Sequence, residues 1–144
     1  MHGIIDNLEF RVVGALVAAG ASIDSNSSII DMTDYESATF VAVITDSVAT
    51  GVATLVVQHS DTNNDAGMTS VTDTAATITC AVNDDINGKA LVSELRHPAK
   101  RYVQCTRTSA TANIAYGDVV AILRPRRKPA TQGATVADTG YASN

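Results

Sequence analysis

His59, Ser60 and Asp61 stand in a row, the three residue types of a nucleophilic triad. A working triad is assembled from separated segments, and neighbours on a strand point to opposite faces, so the run reads as a strand end. Asp61, Asn63 and Asp65 then alternate in DTNNDAG, the oxygen spacing that opens a calcium loop. Gly67 falls one place too late for such a loop and its twelfth position is Thr72, without the bidentate Glu. These three are weak metal candidates, set against a polar hairpin loop that uses Asn and Asp for turn geometry. The pair Asp84-Asp85 lies inside the turn signal NDDING, where solvated acids are expected, and His97 before Pro98 reads as a turn residue. Cys80 and Cys105 have no CxxC partner and no metal-ligand spacing, and read as buried free thiols. No glycine-rich phosphate loop is present. The expectation is a protein that is not an enzyme and takes no cofactor.

The sharpest local signal is basic: Arg124, Arg126, Arg127 and Lys128 in RPRRKP. Nucleic acid would meet these as phosphate contacts. Against that stand a net charge of −5, a pI near 4.9 and the lack of aromatics interleaved with the bases as stacking platforms. Docking on an acidic protein surface is the better reading. Residues 1–88 carry twelve acids and a single base, Arg11, whereas residues 89–144 carry nine bases and three acids. One domain built from both halves should have a polarised surface suited to a large charged partner.

The elements that must present these groups are strands. At 144 residues the chain fits one domain, rich in Ala, Val and Thr, with six aromatics and no Trp. Strands are expected over residues 8–18, 29–32, 37–45, 52–60, 68–71, 76–82, 89–95, 100–108 and 113–124, separated by turn signals. In SATFVAVIT, Phe40, Ala42 and Ile44 share one face and Val41 and Val43 the other. In KRYVQCTRT, Arg101, Val103, Cys105 and Arg107 share one face and Tyr102, Gln104, Thr106 and Thr108 the other. The predicted fold is an all-β antiparallel β-sandwich, jelly-roll-like, spanning residues 8–128. Residues 1–7 form an N-terminal arm. Residues 129–144, small and polar, form a tail that is mobile or orders against a neighbour. The apolar run Val12 to Ala21 is too short to cross a bilayer and lacks the basic flank of a secretory signal. Few aromatics also argue against a carbohydrate site.

Three segments, LVVQHSD at Leu55–Asp61, KRYVQCTRT at Lys100–Thr108 and VVAILRPRRKP at Val119–Pro129, resemble a family of small tailed-bacteriophage capsid decoration, or cement, proteins. The resemblance covers most of residues 37–129; Thr62 and Gln104 depart from the family pattern, and the first 36 residues match it less clearly. It implies a β-rich protein made in the host cytoplasm that binds the outer surface of the expanded head and strengthens it. The implied partners are the major capsid protein and the protein itself, as homo-dimer or homo-trimer, with no nucleic acid and no membrane. Arg124, Arg126, Arg127 and Lys128, with Arg101 and Arg107 as weaker candidates, are then the expected contacts. A host-surface adhesion module on a head fibre or tail, or a neck or connector component, is the alternative.

Overall fold

The computed structural model describes residues 3–142, and within them the chain is a β-sandwich of two antiparallel sheets, jelly-roll-like as the strand pattern predicts. One helical turn, α1 (Ile4–Asn7), precedes eleven strands. These are β1 (Glu9–Gly14), β2 (Val17–Gly20), β3 (Asp24–Asn26), β4 (Ile30–Asp31), β5 (Tyr35–Ser47), β6 (Val52–Ser60), β7 (Thr69–Ser70), β8 (Ala76–Thr79), β9 (Ala90–Arg96), β10 (Tyr102–Ala110) and β11 (Ile114–Pro125). The first sheet runs β1-β11-β5-β9, with β2 also on β11. The second runs β3-β10-β6-β7, with β4 on β10 and β8 on β6.

Period-two alternation builds the core. Ala38, Phe40, Ala42 and Ile44 of β5 and Val119, Ala121 and Leu123 of β11 face Ala53, Leu55 and Val57 of β6 and Val103 and Cys105 of β10. All are buried, so the two sheets enclose one core, with both free cysteines in it. Burial pushes the Cys105 thiol up to about 11. The turn reading of NDDING holds: Asp84 and Gly88 both take positive φ, 69° and 77°.

The expected strand over residues 8–18 is divided. Its first part, β1, breaks from the β11 ladder at a bulge between Val12 and Gly14, and β2 continues further along the same partner to Gly20. Gly14 lies beside Arg107 at this break: a Cβ there would sit 3.2 Å from the Arg107 Nη2 and from Val119, tighter than ordinary contact.

Two side chains cross between the sheets at this level. Arg107 on β10 donates from Nη1 to the Gly117 carbonyl in the β11 bulge at 2.8 Å, and from Nη2 to the Ser25 hydroxyl at 3.0 Å. Tyr116 on β11 reaches the other way, donating to the Thr108 carbonyl at 2.6 Å and accepting from the Thr54 amide at 3.1 Å. Each side chain lies in one sheet's strand and hydrogen-bonds the other sheet's backbone.

The tail differs from expectation over residues 130–136. Gln132 accepts from the Phe10 amide through Oε1 and donates from Nε2 to the Ile5 and Leu8 carbonyls, and Thr135 Oγ1 accepts from the Val12 amide. Ala130 N–H bonds the Asp6 carbonyl. The segment is thus ordered along β1 of its own chain, capping a sheet edge with side chains rather than with a strand. The N-terminal arm, in its described part, is the helical turn that this tail holds.

Candidate docking surface at the basic end

The register places one set of strand ends together. Arg124 lies opposite Ser37, and Ser37 opposite Arg96; Tyr102 lies opposite both Asp31 and Ser60. Arg96, Lys100, Arg101, Arg124, Arg126, Arg127 and Lys128 therefore gather at one end of the sandwich. The acidic half of the chain reaches the same end, so the charge separation is partial there. Arg101 makes a two-pronged ion pair with Asp31, from Nε at 3.0 Å and Nη2 at 2.7 Å. This contact, aided by Thr33, holds the Asp31 carboxyl well below the usual carboxylate range. Arg124 sits 3.3 Å from Glu36, and Lys100 lies 3.8 Å from Asp61. Lys128 donates to the Asn7 side chain at 2.6 Å.

Arg126 and Arg127 are different: both are exposed, and neither side chain has an ion pair or hydrogen bond among the described residues. The Arg126 amide is fixed by the Asp34 carbonyl at 2.8 Å, so the backbone is anchored while the cations are left free. The chain bends over residues 126–129, and the two side chains line separate clefts. Arg126 lines one of about 300 Å³ with Met32, Pro98, Lys100 and Arg101. Arg127 lines another of about 480 Å³ with Asp34, Tyr35, Pro125 and Pro129. The floor of the second cleft is a polar cluster that the sequence did not reveal. The buried Glu9 carboxylate accepts from Arg11 at 2.6 Å and from the Tyr35 hydroxyl. Burial, with Glu9 beside it, pushes the Tyr35 phenol up to about 12. A ridge of two free guanidinium groups between clefts can take carboxylates from a partner by paired hydrogen bonds.

Arg107 must be removed from the docking set. It is 1% exposed, among the largest fully buried side chains, and is committed to the core contacts described above. Its pKa is lowered by that burial. The alternation of β10 explains this, because Arg107 shares a face with Val103 and Cys105.

The row His59-Ser60-Asp61 does not assemble a triad. Ser60 Oγ contacts Thr62, His59 Nδ1 is buried without a hydrogen bond, and Asp61 faces Lys100. The calcium spacing does not form a site either. Asp65 Oδ1 is taken by the amide groups of Asn26 at 2.7 Å and Gln104 at 2.6 Å. Among the described residues no group of three His, Cys, Asp or Glu side chains could hold a metal ion. No described helix is long and apolar enough to cross a membrane.

No family model matches this chain, and no curated protein matches it. Among solved structures it is similar to one described as "CBM4 structure and function", at 13% identity and a TM-score of 0.42, covering 72% of this chain and 61% of that one. It is also similar to the CBM22-1–GH10 modules of Clostridium thermocellum xylanase 10B complexed with xylohexaose, at 9% identity and a TM-score of 0.48. That match covers 96% of this chain but 30% of the other. Likenesses this distant carry no argument about what the chain binds.

Proposed function

We propose that this protein is a tailed-bacteriophage virion structural protein, a capsid decoration or cement protein that docks its basic end on the outer surface of the major capsid protein of the expanded head and stabilises it. The observation that carries the reading is the Arg126-Arg127 ridge: two cations with no side-chain partner among the described residues, on a backbone anchored by Asp34 and flanked by clefts. The resemblance of the surrounding VVAILRPRRKP strand to the decoration family supports the same assignment. Arg101, Arg124 and Lys128 lie at the same end but are engaged with Asp31, Glu36 and Asn7, so their part is secondary. In this reading the protein performs no reaction and its function is its interface.

The test is the double variant Arg126→Glu/Arg127→Glu, mixed with expanded heads that lack the protein. Neither side chain has an intramolecular partner among the described residues, so the melting temperature should stay within about 2 °C of the parent while occupancy of heads falls at least tenfold. Unchanged occupancy would remove the assignment. Binding to cells or glycans instead of heads would favour the adhesion module, and binding confined to about a dozen copies at one vertex would favour the neck component.

A further inference from the structure

β1 stands at the end of the order β1-β11-β5-β9, so one side of it pairs with β11 and the other is a sheet edge. Along an antiparallel ladder, residues alternate between those bonded to the partner strand and those whose N–H and C=O both point away from it. Phe10 and Val12 give their amides to the tail, so they are the residues whose backbone groups line the edge.

The tail covers this edge by imitating a strand. Gln132 Oε1 accepts from the Phe10 amide at 2.9 Å, while its Nε2 donates to the Leu8 carbonyl at 2.8 Å. A residue of a parallel neighbour placed beside Glu9 would bond these same two groups, and here one side-chain amide takes both. Thr135 Oγ1 accepts from the Val12 amide at 3.0 Å, further along in the same direction. The imitation is incomplete, because among the described residues the tail donates to neither the Phe10 nor the Val12 carbonyl. Residues 130–136 form no strand, and two side chains make all the bonds to the Phe10 and Val12 amides. A true backbone strand would answer donors and acceptors alike.

The side chains at this edge narrow what such a strand would carry. Across the register, Phe10 meets Ile122, and Val12 begins a row through Val120, Val41 and Val92. Val12 and Val92 are 42% and 53% exposed, so the row lies on the outward face. A strand beside β1 would set every second side chain next to Phe10 and Val12, where apolar residues extend these rows. Two copies of β1 about a two-fold axis would run antiparallel, so the parallel pattern that the tail imitates is that of a separate segment.

We propose that the β1 edge is a docking site for an extended segment of a partner protein, with apolar residues at alternate positions. The segment adds to the sheet as a parallel strand and displaces residues 130–136, which act as a strap over the edge until it arrives. The proposal stands apart from the capsid reading, because it rests on the backbone groups of β1 and not on the Arg126-Arg127 ridge.

The probe is a capped eight-residue peptide of alternating valine and threonine, titrated to about 1 mM into the full chain while amide chemical shifts are followed. Shifts should be confined to residues 8–14 and 130–136. Gln132→Ala/Thr135→Ala, which weakens the competing strap, should bind the peptide at least tenfold more tightly. The same peptide N-methylated throughout, and so without backbone donors, should not bind. Hydrogen exchange of the parent alone gives a second reading that needs no variant. The Phe10 and Val12 amides should exchange at least tenfold faster than that of Arg11, which faces β11, because the strap opens without the ladder. Absence of shifts in both parent and variant, equal affinity in the two, or equal binding of the N-methylated peptide would overturn the proposal. So would exchange at Phe10 and Val12 as slow as at Arg11, or dimer formation by the variant without peptide, which would make a second copy the occupant.

Discussion

The two outward faces of the sandwich share one alternation and differ in almost everything else. On the β3-β10-β6 side, Val52 and Val56 apart, the outward positions of β6 and their neighbours carry polar side chains bonded to one another. Gln104 donates to Gln58 at 2.8 Å, Thr106 to Asn26 at 2.6 Å, and Thr54 and Thr77 meet at 3.0 Å. The loop after β6 folds back so that Asp65 accepts from both Gln104 and Asn26, leaving Gln104 and Thr106 1% and 3% exposed. The β1-β11-β5-β9 side has valines in place of such a network and no loop tied across it by hydrogen bonds among the described residues. One face is closed by its own chain, and the other leaves a row of valines partly in water. A buried polar network specifies a unique arrangement when every member is satisfied, whereas an apolar band lowers its free energy only by covering itself.

The largest effect that separates the two sides should come from Arg107, the core residue beneath the closed face. Arg107→Ala removes a fully buried side chain and strands the Gly117 carbonyl, and should destabilise by about 3 kcal/mol in urea unfolding. Docking on heads should persist in whatever fraction remains folded. A loss of docking without a loss of stability would return Arg107 to the docking set.

Asp65→Ala comes next. It deprives the Gln104 and Asn26 amides of their shared acceptor and should cost about 1–2 kcal/mol, with faster amide exchange confined to residues 61–67. Unaltered exchange there would mean that the closed face does not depend on this carboxylate.

The opposite change is smaller. Val92→Thr keeps the β-branched shape at a side chain 53% exposed and should alter stability by less than about 0.5 kcal/mol in urea unfolding. A stability loss comparable to that of Asp65→Ala would erase the distinction between the faces.

Alkaline titration probes what joins the sheets. Burial pushes the Tyr116 phenol up to about 12, as it does Tyr35 with Glu9 beside it. The unfolded chain releases these protons near pH 10 while the folded chain retains them, so the contribution of the two phenols is full below pH 10 and is lost progressively as pH rises toward 12. Tyr116→Phe should flatten part of that fall, at the cost of the Thr108 and Thr54 bonds. The same slope in the variant would mean the phenol does not stay protonated between the sheets.

Much of the fold is readable before any coordinates. Phe40, Ala42 and Ile44 alternate with Val41 and Val43, and the structure divides them between core and outside as the alternation requires. The same rule applied to β10 places Arg107 beside Val103 and Cys105, in the core. Reading its charge ahead of its face is what misassigned it, and the outward valines of β5 already hinted at a face that is not simply solvated. The partners of the basic residues are less legible. Arg101 meets Asp31, seventy positions away, only because β4 pairs with β10. The Glu9, Arg11 and Tyr35 cluster depends in the same way on strands that close at one end of the sandwich. The tail's place along β1 was hidden because side chains, rather than an apolar pattern, hold it there. Local periodicity records which way a residue points, while tertiary register decides what it meets.

The most direct test of the central claim is co-sedimentation of the purified protein with expanded heads that lack it, counting copies bound per major capsid subunit as ionic strength is raised. Docking through the free Arg126 and Arg127 predicts saturable binding at a ratio of order one that weakens as salt shortens the Debye length from about 10 Å at 0.1 M. Absence of binding, or binding indifferent to salt, would contradict it.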